Sequence, residues 1–218
     1  MGDTTELTQI QLNDNNLSSI NIRNNTSLTN FQVNRNNLTS VDVSVNTALT
    51  NIELVDNDLQ SIDLSANTAL LTLALDDNTS LGTLDVSANT LLTELQCREC
   101  GLSALDVSAN TALTDLACSV NSISTLSITA NTALTTIDAS FNSLTTFSVT
   151  ANTLLTTVTL NDNLLSATAV DNILIDLDTH GLSGGTVNVG GGGNAARTTA
   201  SDAAVTSLLG KGWTVTAN

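Results

Sequence analysis

The chain has 218 residues, with five lysines and arginines against 21 aspartates and glutamates, for a formal charge of −16. That balance argues against nucleic acid or an anionic membrane surface as partner and leaves cationic partners, metal ions and neutral glycans open. A hydrophobic fraction of 41% suffices for a folded core. No apolar run is long enough to span a bilayer, and with 2% aromatics and no proline the core has to be aliphatic.

From Leu7 onward the chain repeats a half-unit that reads L-x-x-L-x-L-x-x-N-x-L, first as Leu7, Ile10, Leu12, Asn15 and Leu17. Two versions alternate. One places a single residue between the asparagine and the next leucine, as from Asn36 to Leu38, and the other places two, as in Asn46-Thr47-Ala48-Leu49. Together they make a unit of about 21 residues. The first version carries asparagine at 15, 36, 57, 78, 121, 142 and 163, with Cys100 in the one gap; the second carries it at 25, 46, 67, 89, 110, 131 and 152. The L-x-L step has period two, so Leu73 and Leu75 point to one side and Thr72, Ala74 and Asp76 to the other. The pattern predicts a short strand in each half-unit, stacked on its equivalents at about 4.8 Å. Each asparagine follows its strand and can pair backbone groups of adjacent coils that would otherwise be buried unpaired.

After Leu165 the period changes. Val170, Ile173, Leu174 and Leu177 follow the spacing of an amphipathic helix, with Gly181 as its stop. A strand is predicted at 186–189, then a turn at the glycine run 190–193. A second helix follows with Ala204, Val205, Leu208 and Leu209 on its apolar face, ended by Gly210 and Gly212, and a last strand at 213–216. Two longer coils of this kind suit a cap, with Trp213 as its large anchor.

Segments such as Leu102 to Leu113 resemble bacterial leucine-rich repeats of the nested type, in which both halves of a short repeat carry the same core; the resemblance covers residues 7 to about 165. It implies a mainly β solenoid, a right-handed coil of parallel strands. About eight short coils would occupy residues 1–165, with an α/β C-terminal cap of two helix–strand units over 166–218. It further implies a non-enzymatic interaction module without a cofactor, bound to protein or glycan on a bacterial or phage surface, and so an extracellular or cell-surface setting. Such a fold serves many partners. A structural spacer or adhesin stalk is the alternative. An ice-binding solenoid is a further one, raised by threonine columns such as Thr29, Thr50, Thr93, Thr114, Thr135 and Thr156.

Residues with chemical potential are few. His180 is the only histidine and sits near a predicted helix end, where an imidazole interacts well with the dipole. Cys97 and Cys118 fall on equivalent inward positions of consecutive coils, which suits buried thiols and leaves an adjacent-coil disulfide open. The glycine run lacks the lysine and hydroxyl residue of a phosphate loop. Asp42, Asp63, Asp85 and Asp106 form an outward ladder with a serine two residues after each; hydrogen bonding to hydroxyls or a bridging Ca²⁺ would offset their repulsion. The first half-unit is the one that varies on its outward side, and recognition is expected there. The candidate residues are Arg35, Glu53, Asp56, Asp76, Asp77, Arg98, Glu99, Val120 and Phe141, with the apolar Val120 and Phe141 beside a charged rim. Drift at unconstrained positions would produce the same variation.

Overall fold

The computed structural model describes residues 7–218; residues 1–6 of the expected solenoid region lie outside them. Eight strands, β1 (Gln9–Gln11), β2 (Asn30–Gln32), β3 (Asn51–Glu53), β4 (Thr72–Ala74), β5 (Glu94–Gln96), β6 (Asp115–Ala117), β7 (Thr136–Asp138) and β8 (Thr157–Thr159), recur every 21 or 22 residues. Two more, β9 (Thr186–Asn188) and β10 (Thr214–Thr216), close the coil, and all ten form one parallel sheet in sequence order. The register never slips: Ile52, Leu73, Leu95, Leu116, Ile137 and Val158 are successive partners, and each is fully buried. The aliphatic core expected from composition is this stack, continued on the other side of the coil by Val43, Leu64, Val86, Val107, Ile128 and Val149.

Only the first half-unit forms strands. The prediction of a strand in each half fails for the second, whose inward residues are buried without entering a sheet. In four of these halves an Asp-x-Ser sequence favours a local turn instead, and Asn21 and Ser148 accept in the same way from the Arg23 and Thr150 N–H groups. Asp42 accepts a hydrogen bond from the Ser44 backbone N–H at 3.0 Å, and Asp63, Asp85 and Asp106 do the same for Ser65, Ser87 and Ser108 at 2.9 Å. This local turn gives the serine N–H a partner outside any ladder.

The two asparagine rows do different work. In the first, Asn57 donates to the carbonyls of Val33, Leu54 and Val55 while its Oδ1 accepts from the Leu38 N–H of the preceding coil. In the second, Asn110 donates to Val86 and Asn89, but its Oδ1 is buried without a partner, as are those of Asn46, Asn67, Asn89, Asn131 and Asn152. The first row uses both ends of the amide and the second uses one.

Cys100 fits this distinction. The coil that begins with β4 is one residue longer: Asn78-Thr79-Ser80-Leu81 takes the second-half turn, with the Leu81 N–H bonded to the Asn78 carbonyl. The Leu81 N–H is thus served within its own coil and the Gly82 N–H by the Cys100 backbone carbonyl, so a side chain that only donates suffices at 100. The Cys100 thiol donates to Leu75 and Arg98 carbonyls at 3.2 and 3.3 Å. The inserted turn also brings the Thr79 carbonyl against the following residue, where a Cβ would lie 2.7 Å from it; Gly101, at φ +66°, is what fits. Cys97 and Cys118 are fully buried free thiols. Burial pushes the thiols of Cys100 and Cys118 up to about 12 and that of Cys97 well above its ordinary value, which favours the protonated thiol at all three.

At the C-terminal end helix α1 (Ala167–His180) is capped by the Ser166 hydroxyl, which accepts from the Ala169 N–H, and stops at Gly181 in the left-handed region. Its predicted face, Val170, Ile173, Leu174 and Leu177, is buried. A 3₁₀ turn (Thr199–Ser201) leads into α2 (Asp202–Gly210). Here Ala204 and Leu208 are buried and Val205 is half-buried, but Leu209, expected on the apolar face, is 55% exposed: so short a helix buries little beyond one i, i+4 pair. Trp213 is buried, donates its indole N–H to the Leu182 carbonyl at 2.9 Å, and packs on Gly185 where a side chain would collide with the ring. Two cap residues are not apparent from the repeat pattern. Asn194 continues the first asparagine row, donating to Leu160, Val189 and Gly190 carbonyls and accepting from the Leu165 N–H. Asp171 is buried in α1 and accepts from the Thr198 N–H and hydroxyl and the Ser201 hydroxyl, tying α1 to the start of α2. No helix among the described residues is long and apolar enough to cross a membrane.

Candidate functional site

Every candidate recognition residue lies on the outward side of the strands or on the turn that follows them. Arg35, Asp56, Asp77, Glu99, Val120 and Phe141 share a column with Asp14 and Asp162, and these are all the non-glycine residues with positive φ among the described residues, at +52° to +62°. The conformation is fixed by the ladder. The Arg35, Phe141 and Val120 N–H groups each reach a carbonyl of the following coil, at Val55, Asn161 and Ser140. Aspartate and asparagine tolerate this region, whereas a β-branched or bulky residue there is an outlier. Val120 and Phe141 nevertheless occupy it in neighbouring coils, 44% and 52% exposed. The sequence marked these two as an apolar spot beside a charged rim; the strain at their backbone could be read only from the structure.

The remaining candidates differ in how free they are. Glu53 is occupied: it accepts from the side-chain amides of Gln32, Asn34 and Asn51, closing a chain of amides that begins at Gln11. Arg35 is paired with Asp14 of the preceding coil. Arg98 links residues across four coils, from β4 to β7. Its Nη1 donates to Asp76 at 2.7 Å, its Nε lies 3.7 Å from Asp138, and the intervening strand carries the buried Ala117, too short to obstruct it. Asp76 also accepts from the Arg98 backbone N–H, and Asp138 accepts from the Ser119 and Ser140 hydroxyls.

Three acidic residues of this face were missed: Glu94, Asp115 and Asp138. They stand at the two outward strand positions, and the alternation of β5 to β7 was the signal that could have found them. Glu94 and Asp115 are directly paired across β5 and β6. Burial, then the charge of Glu94, holds the Asp115 carboxyl above the ordinary range; burial, then Asp76 and Asp56, does the same for Asp77.

The second-half acidic row is the opposite case. Hydrogen bonds from Ser44, then the Arg23 guanidinium, bring Asp42 down to about 2, and the serines two residues on likewise lower Asp63, Asp85 and Asp106 despite their mutual repulsion. Among the described residues no three histidine, cysteine, aspartate or glutamate side chains converge in a way that could hold a metal ion. A groove of about 460 Å³ runs over Leu105, Leu126 and Phe147 where that row gives way to Ser127 and Ser148; it shares no residue with the variable face. The threonine hydroxyls of the turn column, Thr29, Thr50, Thr93, Thr114, Thr135 and Thr156, are bonded to backbone carbonyls of the preceding coil. Paired outward threonines stand instead in β8, at Thr157 and Thr159, and in β10, at Thr214 and Thr216.

No family model and no curated protein matches the chain. Among solved structures it is similar to the functional domain of InlJ from Listeria monocytogenes, which includes a cysteine ladder, with 35% identity and a TM-score of 0.77 over 85% of this chain. The chain spans 39% of that domain. An internalin C2 of the same organism gives 20% identity and a TM-score of 0.64 over 74% of each chain. A leucine-rich-repeat protein of Leptospira interrogans gives 16% and 0.51, over 97% of this chain and 72% of that one; these two bear on the fold alone. With its 21-residue spacing, parallel sheet and paired asparagine rows, the chain has the solenoid fold of these bacterial leucine-rich-repeat proteins.

Proposed function

We propose that the chain is a non-enzymatic recognition module of a secreted or surface-displayed bacterial or phage protein, and that it holds its ligand against the variable face between β3 and β8. The observation that carries this reading is the pair Val120 and Phe141. Both are exposed, apolar and held in a backbone conformation that disfavours them, at a column where aspartate recurs. Strain kept at an exposed site is characteristic of positions retained for contact. A protein ligand suits the face better than a glycan, because Phe141 is its only aromatic; Phe31, Phe147 and Trp213 are buried. The likeness to the InlJ domain supports an extracellular setting.

The test is retention of cell-surface extract proteins on the immobilised chain, compared with a Val120→Asn/Phe141→Asn double variant and with Asp63→Asn on the other acidic row. Retention lost in the first and kept in the second is expected. Equal retention by all three would leave the spacer role as the better account.

A second reading has one observation in its favour. Thr157 and Thr159, Thr186 and Asn188, and Thr214 and Thr216 are in register across β8 to β10, an uncharged array repeated at the strand spacing of about 4.8 Å that an ice surface could match. Thermal hysteresis in the wild-type chain that disappears with Thr186→Lys would establish it, and none in the wild type would remove it.

A further inference from the structure

We propose that the variable face takes a positively charged protein segment bearing one apolar anchor, with Glu94, Asp115 and Glu99 receiving the basic groups and Val120 with Phe141 receiving the anchor. This rests on the variable face being the recognition surface and adds the chemistry of what it recognises.

The chain carries two acidic rows built on opposite plans. In the second half, Asp42, Asp63, Asp85 and Asp106 each accept a hydrogen bond from a serine two residues on, so their charge is compensated within the coil. On the variable face the compensation is partial: Glu94 accepts from the Gln96 side-chain amide and Asp115 from the Thr136 hydroxyl, but neither carboxylate forms an ion pair among the described residues. Glu94 and Asp115 face each other across β5 and β6, a placement in which like charges destabilise a sheet. Asp77 and Glu99 stack in consecutive coils of the left-handed column. The nearby cation, Arg98, is already held by Asp76 and lies 3.7 Å from Asp138. A lysine or arginine set between Glu94 and Asp115 relieves a repulsion that the free chain carries, so binding gains energy that a compensated row cannot supply. Val120 and Phe141 extend the same column beyond Glu99, which places the exposed apolar pair one and two coils from it.

The probes are three short synthetic peptides read by fluorescence anisotropy at two salt concentrations: lysine-rich with one central leucine, the same with serine for leucine, and a glutamate-rich counterpart. The lysine–leucine peptide is expected to bind the wild-type chain most tightly, with affinity falling as salt rises. Glu94→Gln/Asp115→Asn should weaken it about tenfold, equivalent to about 1.4 kcal/mol. Val120→Asn/Phe141→Asn should reduce it to the level of the serine peptide, and Asp63→Asn/Asp85→Asn should change it less than about twofold, a few tenths of a kcal/mol. Circular dichroism confirms that each variant folds. Equal losses from the two acidic rows would mean that net charge alone attracts the peptide, and either that result or equal binding of the leucine and serine peptides overturns the proposal. If the proposal fails while Val120→Asn/Phe141→Asn still abolishes retention of extract proteins, the recognition face stands and its partner is not cationic.

Discussion

Replacing Val120 by asparagine should make the chain more stable while removing part of its contact surface. At φ +56° the Cβ of an L-residue crowds the neighbouring carbonyl, which costs about 1–2 kcal/mol, and a β-branch adds to that cost. Asparagine tolerates the region far better. Against this gain stands the lost burial of the valine methyls. With the residue 44% exposed, roughly half of a burial worth about 1.5 kcal/mol is at stake, and asparagine keeps part of it. The balance is a stabilisation of about 0.5–1 kcal/mol, which for a domain of this size raises Tm by about 1–4 °C. Urea unfolding followed by circular dichroism measures it as a higher midpoint at an unchanged slope. Phe141→Asn should give less, because more apolar area is removed, and the double variant should depart from additivity since the two residues occupy adjacent coils. A Val120→Asn chain that is less stable than the parent would refute the reasoning: the left-handed column would then not be strained by valine, and the argument for its retention would lose its ground.

In the asparagine rows, Asn142→Ala removes an amide used at both ends and should cost about 3 kcal/mol, whereas Asn110→Ala removes donor bonds only and should cost about 1–2 kcal/mol by the same denaturation assay. Gly82→Ala meets open space at φ +68° and should cost about 1 kcal/mol, while Gly101→Ala adds a clash with the Thr79 carbonyl and should cost about 2 kcal/mol or more. Acid should act with opposite sign in two regions. Asp171 is raised by burial but lowered further by the hydroxyls of Ser201 and Thr198, so its net shift is downward and its contribution, full above the ordinary carboxylate value of 3.8, is lost as pH falls below it. Asp115 is shifted upward, so its carboxyl favours the folded state when protonated, and the central coils gain stability on acidification until pH reaches the unfolded value. Hydrogen exchange between pH 5 and 3, corrected for intrinsic rates, should show the α1–α2 contact loosening and β5–β6 tightening, with the second effect absent in Asp115→Asn.

The solenoid was legible because its determinants are local and repeated: leucine spacing, the asparagine that follows, and a helical period after Leu165. What was not legible depends on relations between coils. The second half-unit has the same leucine pattern as the first but forms no strand, and in four of these halves Asp-x-Ser closes a turn that the apolar pattern does not encode. Cys100 stands in the one gap of the first asparagine row; its sufficiency follows from the extra residue before Leu81, which lets the Asn78 carbonyl take the N–H that an asparagine would serve. Asn194 escaped notice because the glycine run 190–193 lengthens the spacing from Val189, although Gly193 is needed there: a Cβ would sit 2.0 Å from the Asn163 carbonyl. Among the candidate site residues, column membership was readable, but whether a side chain is free was not. Glu53 is consumed by amides and Arg98 by two carboxylates, and neither fact follows from spacing.

Variation therefore carries different information at different columns. On the inner strands the backbone is paired with the coils on both sides, so an outward side chain can change at little cost, and diversity such as Gln32, Ala74 and Thr159 at equivalent positions is weak evidence of selection. In the left-handed column the backbone itself discriminates, because each residue other than glycine, asparagine or aspartate carries a conformational cost. Arg35 offsets that cost by pairing with Asp14. Val120 and Phe141 have no such compensation within the coil and remain half in solvent. A substitution whose conformational cost exceeds what its partial burial returns is accounted for by contact with something outside the chain, and on the proposed reading these two positions, more than the number or variety of charged residues around them, mark the recognition surface.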